Sequence, residues 1–581
     1  MRNRRILFLV LFLILGAHSL RAQDGKWLEL SSEHFQLFTD TDQTKGQRLL
    51  TDLETRIAAF SQAFGEVPQR QFPIEIFIFD NDPEYTEAAP RPQGEEKLNK
   101  SAYVLRGPDR VFIVAKDKSP EDIANDAAHA LGHVFFERYG YWRPFWLAEG
   151  AAEYLSKAGR PADTKAVPED ESFSVSDLVT IVPSASYNDN EATPFRTQSY
   201  RLLRILLEDN PGAVKQYFQT LRTESDAQPK IQIDAGALDS RLKSYIETPL
   251  KLPAVSPVIK SIEAGPARVA IHRGDLLLAT SREPDAARWY NADSKDARAA
   301  RAILTRFSRS IVEAVRALDR ASRELLDYGL VQYHFGAMEI QDRKDTQAQV
   351  AALERAVALL PAMGRAHAEL ARVYTMNGQA DKAVPLIAKA LDLEPEFADR
   401  FFEIRADTNL ALGQPDRAFQ DINIAAALPH ADKAATEHFV LRISAVRRRI
   451  ENARREADNL WLEQIRKEVA AEEQRREPPR PPAPPPPPVP PGRIDFQIQT
   501  RAPIEVLETV YPDYPENLRK NGSAGKITLR VDIGPDGKVK AASVTSSQLT
   551  DMNAATVAAV KGWTFKPGNR SISLIFTYSL Q

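Results

Sequence analysis

YPENLRKNGSAGKITLRVDIGPDGKVKAASVTSSQLTDMNAATVAAVKGWTFKPGNRSISLIFTYSL, residues 514–580, lays out a small α+β domain element by element. Tyr514-Pro515 opens a short helix, and Gly525 precedes a stretch, Lys526 to Ile533, that alternates as a half-buried strand does. Gly534-Pro535-Asp536-Gly537 is a hairpin turn, since Asp-Gly tolerates the positive φ that such turns need. KVKAASVTSS reads as the return strand and MNAATVAAVKGWTF as a helix running into Trp563, Phe565, Lys566 and Pro567. ISLIFTYSL is the final strand, and Trp563 and Phe565 are expected in the core rather than in a site.

This order of elements resembles the periplasmic C-terminal domain of TonB energy transducers along nearly its whole length, and residues 500–581 are assigned to that module. The resemblance implies that a short peptide of an outer-membrane receptor is captured as an added strand at the sheet edge, with main-chain hydrogen bonds carrying the affinity. Transducers of that family also keep an N-terminal transmembrane helix coupled to a proton-driven motor. In this chain a segment with the features of a signal peptide stands in that place, and a large extra domain follows it.

Upstream, residues 478–492 read PPRPPAPPPPPVPPG, a polyproline II linker of roughly 45 Å at ~3.1 Å per residue. Residues 436–477 are densely charged with no helix breaker, which predicts a long, exposed helix. Its acidic and basic residues interleave, as on a solvated helix face rather than a nucleic-acid patch. Residues 266–435 are helical and repetitive. In GRAHAELARVYTMNGQADKAVPLIAKALDLEP, Leu370, Ala371, Tyr374, Gly378, Ala383, Ala390 and Pro395 have the spacing of a tetratricopeptide repeat, a family this segment resembles. Pro361, Pro395 and Pro429 keep a period of 34 residues; Gly413, Ala418 and Ala425 repeat the pattern with a one-residue slip, and Gly274 and Ala286 fit a degenerate earlier unit. Such a solenoid offers a concave peptide-binding groove or serves as a spacer.

Residues 23–255 mix strands and helices. EHFQLFTD, PIEIFIFD and DRVFIVA are strands by alternation and by β-branched and aromatic content, and TKGQRLLTDLETRIAAFSQAFG is a helix stopping at Gly65. PEDIANDAAHALGHVFFERYG and PFWLAEGAAEYLSKAG are two further helices. His129 and His133 stand four residues apart on the first, so both imidazoles face one way and are able to share a metal ion. The pair, with WLAEGAAEY on the next helix, resembles gluzincin metallopeptidases and more closely the bacterial peptidase-MA-like domains. That resemblance implies zinc held by His129, His133 and Glu149. It also implies a glutamate general base directly after the first histidine, where this sequence has Ala130. A methyl group accepts no proton, and loss of a positioned base costs ~10²–10⁴ in rate. Glu153, one turn beyond Glu149, matches a supporting residue of the family rather than a base. The bland alternative is that the two histidines pack between helices without metal.

The fold class expected is therefore multi-domain: an α+β gluzincin-like domain, an all-α tetratricopeptide solenoid and a small α+β TonB-like domain. Residues 1–22 have Arg2, Arg4 and Arg5 before an apolar run from Ile6 to Leu15, then small residues at Ala17, Ser19 and Ala22, as in a secretory signal. Cleavage after Ala22 makes the chain periplasmic; an uncleaved segment anchors it in the inner membrane. No cysteine is present, which excludes disulfides, thiolate metal sites and a lipoprotein anchor, and a net charge of −3 gives no support for bulk nucleic-acid binding. The function expected is an exported interaction scaffold, its partners envelope proteins or peptides in the helical groove and on the sheet edge, outer-membrane receptors among them. The alternatives are an active periplasmic zinc peptidase and an anchored energy transducer.

Overall fold

The computed structural model describes residues 27–90, 100–165, 167–168, 171–181, 189–224, 227–307, 310–338, 346–428, 433–475, 492–500 and 503–580. The segment expected as a signal, residues 1–22, and the proline tract up to residue 491 lie outside them. The chain divides into two compact units, Met1–Leu462 and Glu463–Gln581.

In the first unit, strands β1 (Leu28–Ser31), β2 (Phe35–Thr39), β3 (Ile74–Phe79), β4 (Ala102–Arg106), β5 (Val111–Lys116) and β6 (Lys260–Glu263) form one mixed sheet in the order β4-β5-β3-β2-β1-β6. The β2–β3 and β3–β5 pairs are parallel and the rest antiparallel. Helix α1 (Gln43–Phe64) is capped by the Asp42 carboxylate, which accepts from Thr44 N at 2.9 Å, and it stops at Gly65, whose φ is 102°. It is followed by α2 (Asp82–Ala88), α3 (Pro120–Phe136), α4 (Phe145–Lys157), α5 (Val175–Thr180), α6 (Asp189–Asp209), α7 (Pro211–Thr220) and α8 (Ala235–Lys243).

Every residue of β3 is buried, because both faces of the sheet are covered. Ile74, Ile76 and Ile78 join Leu49, Leu53 and Leu131 of α1 and α3 on one face. Phe77 and Phe79 join Phe38, Phe112, Trp27 and Tyr85 on the other, together with Val269 and Leu276. Those last two belong to α9 (Pro266–Ala279), a helix assigned from sequence to the solenoid. The α+β domain therefore does not end at residue 255: its edge strand β6 pairs with β1, and the next helix seals the second face of its sheet.

The helical half continues as α10 (Glu283–Trp289), α11 (Lys295–Leu304), α12 (Ile311–Glu324), α13 (Gly329–Gly336), α14 (Gln347–Leu359), α15 (Gly364–Met376), α16 (Ala380–Leu393), α17 (Ala398–Ala411) and α18 (Pro415–Ala427). Helices α15 and α16 pack as a hairpin, as do α17 and α18. Gly378 (φ 71°) and Gly413 (φ 70°) make the two equivalent turns, a left-handed conformation only glycine adopts freely. Gly274 lies so close to Tyr290 that a β-carbon there would meet its ring at 2.3 Å, which is how α9 and α10 approach. Helix α19 (Lys433–Arg475) follows. The expectation of an exposed helix holds for its later half only: Ile443, Val446 and Ile450 are buried in the shared core.

Charged contacts also join the two halves of this unit. Arg138, 1% exposed, donates from Nη1 to both oxygens of Glu396 at 2.9 Å. His334 Nε2 lies 2.8 Å from Asp109 Oδ2, and Arg405 donates to both oxygens of Glu224 at 2.8 Å.

The second unit has its own core. Strands β7 (Arg493–Gln499), β9 (Gly525–Ile533), β10 (Val539–Ser547) and β12 (Arg570–Ser579) form an antiparallel sheet in the order β10-β9-β12-β7. A short second pair joins β8 (Val506–Glu508) to β11 (Thr564–Phe565), and α20 (Glu516–Lys520) and α21 (Asn553–Lys561) complete the unit. The Gly534–Lys538 turn closes as expected, with Gly537 at φ 81°. Trp563 and Phe565 are core residues, both 1% exposed. The domain expected from residue 500 starts earlier, because β7 lies upstream of that boundary.

Candidate functional site

Helix α3 starts cleanly. Ser119 Oγ accepts from Asp122 N at 3.0 Å, Pro120 fills the first turn, and Glu121 and Asp122 face the positive end of the helix dipole. Three turns on, His129 and His133 share a face, with their Nε2 atoms 3.2 Å apart. Helix α4 reaches that face because glycine stands at the crossing. A β-carbon on Gly132 would lie 2.5 Å from Ala152 Cα, and one on Gly150 would lie 2.8 Å from Ser199 O of α6. The first approach brings Glu149 to the histidines, and the second brings Arg196 of α6 to Glu149.

Glu149 Oε2 is 3.5 Å from His129 Nε2, and its Oε1 is 3.5 Å from His133 Nε2. The three residues expected as ligands thus offer donor atoms within 4.8 Å of one another. Bonds of ~2.0–2.1 Å around a tetrahedral ion place neighbouring donors ~3.3 Å apart, and the separations here, each measured to a different oxygen of Glu149, are near that scale. Glu153 Oε1 stands 3.0 Å from His129 Nδ1, the far nitrogen of the ring. This carboxylate on the outer ring nitrogen is the kind of support that orients a ligating histidine. Arg196 Nε donates to Glu149 Oε2 at 3.1 Å.

The charges divide the two histidines. Burial alone would lower the pKa of His129, but Glu149 and Glu153 outweigh it and hold the pKa above the ordinary value. Burial dominates at His133, pushing it down to about 4 despite Glu149, with His129, Arg106 and Arg196 adding to the drop. Glu149 is kept below the usual carboxylate range because the histidines and Arg196 outweigh its burial. One imidazole is neutral and ready to ligate; the other is balanced by two carboxylates. Arg196 was not legible in the sequence, since only packing brings a residue 47 positions away to Glu149. Chemically, the cluster offers two nitrogen donors and a carboxylate, and the residue directly after His129 is Ala130.

The second candidate surface is the sheet of the C-terminal unit. Its outer strands are β10 and β7. Strand β10 pairs with β9 through two register shifts, between Val539 and Ala541 and between Val544 and Ser546. Strand β7 pairs with β12 without a slip, from Arg493↔Ser579 to Gln499↔Ser573.

Among solved structures, a thermophilic TPR protein in Thermus thermophilus aligns with 31% of this chain and 98% of its own, at 17% identity and a TM-score of 0.25, a likeness too slight to bear on the fold. No curated protein matches the chain. Residues 510–580 match the family described as Gram-negative bacterial TonB protein C-terminal. The C-terminal unit is thus similar to the TonB C-terminal domain over those residues, and the match begins only after β7 has ended.

Proposed function

We propose that this chain is an interaction scaffold of the Gram-negative envelope, which captures extended peptides on the sheet of its C-terminal unit. The observation that carries this reading is the family match at residues 510–580, on a unit with a hydrophobic core of its own. An antiparallel sheet with an accessible edge recognises extended peptides through main-chain hydrogen bonds, whatever else the chain carries. The first unit supplies the body of the scaffold, and its helical hairpins suit a second protein contact. Outer-membrane receptors are the partner class, and export through residues 1–22 is the route. Among the described residues no helix is long and apolar enough to cross a membrane.

In this reading His129, His133 and Glu149 hold zinc, with Glu153 orienting His129. A bound zinc would supply Lewis acidity. The chain's own residues then decide the chemistry. Ala130 accepts no proton, and Glu153 is turned to the far nitrogen of His129, so the site retains a metal without hydrolysing peptides.

Three measurements test the reading. The full chain is titrated with synthetic peptides from the N-terminal segments of outer-membrane receptors of the same organism, and at least one should bind saturably; silence from all of them sinks the capture reading. Metal analysis should give about one zinc per chain, lost in His133→Ala. Zinc-dependent turnover of a peptide library by the unaltered protein would make the chain an enzyme after all. Intact-mass analysis of protein from the periplasm should begin at Gln23; Met1 retained in the inner-membrane fraction would favour the anchored transducer.

A further inference from the structure

We infer that β7 sits on the edge of β12 as a resident ligand of the capture surface, and that the partner able to displace it is an extended segment with apolar residues at alternate positions and an aromatic ring at its centre. The inference rests on the capture reading and says what occupies the edge and what competes for it.

The first ground is where the strand comes from. Strand β7 lies outside the residues that match the family, yet it is hydrogen-bonded into the sheet. Without it the sheet is β10-β9-β12, and β12 becomes an edge.

The second ground is the quality of the two edges. Strand β12 runs in register with β9 from Arg570↔Ile533 to Tyr578↔Gly525, so its outer side is a long, regular ladder of donors and acceptors. Strand β10 is interrupted twice, and such irregularities are a common way of blunting an edge against further pairing. An incoming strand finds a better template on β12.

The third ground is how β7 is held. Ile494, Phe496 and Ile498 turn toward the core but stay half-buried, while Arg493, Asp495, Gln497 and Gln499 are exposed. The Phe496 ring meets Trp563 edge-on at 4.7 Å and lies 5.9 Å from Tyr511 and 6.2 Å from Phe576. Arg493 spends its side chain on Asp495 of the same strand, at 2.9 Å. The strand is therefore attached by a main-chain ladder and three alternate apolar side chains. Those are the means by which a foreign peptide would attach. The pattern Arg-Ile-Asp-Phe-Gln-Ile-Gln is accordingly a template for the partner. Because the resident strand is tethered, it competes at high effective concentration, and a partner's apparent affinity is lowered by the fraction of time the edge is open.

The test uses the full chain and a labelled peptide, RIDFQIQ with blocked ends. The chain has no cysteine, so Gln497→Cys with Ile575→Cys places a single pair of thiols on directly opposed residues of β7 and β12. Oxidation should lock the resident strand and abolish peptide binding, and reduction should restore it. Phe496→Pro removes a ladder donor and the central ring. It should raise affinity for the probe at least ~10-fold over the unaltered chain, the effect of opening an edge closed most of the time. A probe with alanine for its phenylalanine should bind more weakly. Equal binding by the oxidised and reduced pair would mean that the peptide adds elsewhere; it would overturn this inference and leave peptide capture standing. If the Phe496→Pro chain pairs with itself in a concentration-dependent way and takes no probe, the occupant is a second copy and the inference is overturned. Absence of binding by every form, to the probe and to receptor peptides alike, would bring down the capture reading itself.

Discussion

Gly132 is the residue on which the geometry of the histidine cluster depends, and Gly132→Ala perturbs it in a calculable way. The added carbon would lie 2.5 Å from Ala152 Cα and 3.0 Å from Ala152 O. Both are backbone atoms, so no side chain is able to swing aside. Reaching ordinary contact at 3.4 Å requires the α3–α4 crossing to open by about 0.9 Å. The separation of the two histidines lies within α3 and should not change. The His129–Glu149 and His133–Glu149 separations span the crossing, and would grow from 3.5 Å to about 4.4 Å. That exceeds the ~3.3 Å edge of a tetrahedral site, so the carboxylate leaves the donor set while the imidazoles stay.

Two energies oppose each other. Replacing glycine by alanine inside a helix gains about 1 kcal/mol, and overpacking a tight crossing costs about 1–3 kcal/mol. The fold should therefore lose at most about 2 kcal/mol and remain assembled. Zinc affinity should fall by at least ~10–100-fold, the scale seen when support around a ligand is lost. Competition with a chromophoric chelator measures the affinity, and a thermal melt of the apo chain measures the fold. Because the clash is with backbone, adding Ala152→Gly should not rescue binding. Unchanged zinc affinity in a chain of unchanged stability would refute the claim that this glycine sets the site.

Asp40 is pushed up to about 6 by burial, helped by the neighbouring charge of Asp80. A raised carboxyl favours the protonated folded state, so its contribution is intact below about pH 4 and lost as pH rises through about 6. Asp40→Asn should therefore raise stability by on the order of 1 kcal/mol at pH 8, after allowance for partial exposure, and change little at pH 4 in urea titrations. Glu75 has the opposite sign: burial would raise it, but Arg110 and His272 hold it near 2. Its support should be present above about pH 4 and fade as pH falls toward 2, an acid limb that Glu75→Gln should flatten. Among the described residues, Arg138→Met leaves Glu396 with Arg70 at 3.8 Å as its remaining ion pair, and should cost about 3–5 kcal/mol in unfolding of the first unit, partly recovered by adding Glu396→Gln. Trp563→Ala removes a buried ring whose Nε1 donates to Val510 O at 2.7 Å; it should lower the calorimetric transition of the C-terminal unit by about 3–5 kcal/mol and leave the other in place.

Local patterns were read correctly where a residue's role is set by its neighbours in sequence. The stop of α1 at Gly65, the turn at Gly537 and the hairpin turns at Gly378 and Gly413 follow from backbone conformations that glycine alone takes freely. The shared face of His129 and His133 was legible because a four-residue spacing puts two imidazoles on one helical side; Glu149 on the next helix was expected only from the likeness of WLAEGAAEY to the gluzincin pattern. The strands β1, β4 and β6 were not read, being short and, at β6, mostly exposed. Strand β7 was hidden for another reason: RIDFQIQ alternates but never becomes fully buried, and it follows a proline tract that suggested a linker running straight into the domain.

The boundary between the α+β domain and the helical half shows what a sequence reading misses when both sides are helical. Helix α9 has Gly274 at the place of a repeat glycine, which marks it as the start of the solenoid, and it does pack on α10 through that glycine. The same helix presents Val269 and Leu276 to Phe77, Phe79 and Trp27. Without it, the second face of β3 and β5 would expose a row of phenylalanines. Parallel strands are typically covered on both faces. The helix therefore belongs to both halves, and the charged contacts of Arg138, Asp109 and Glu224 with the repeats extend the same union. It follows that the histidine cluster and the repeats are not separable modules. Removing the repeats from α9 onward uncovers the sheet behind the histidine helix, so loss of zinc from such a truncation would report a broken fold, whereas loss from His133→Ala in the full chain reports a ligand.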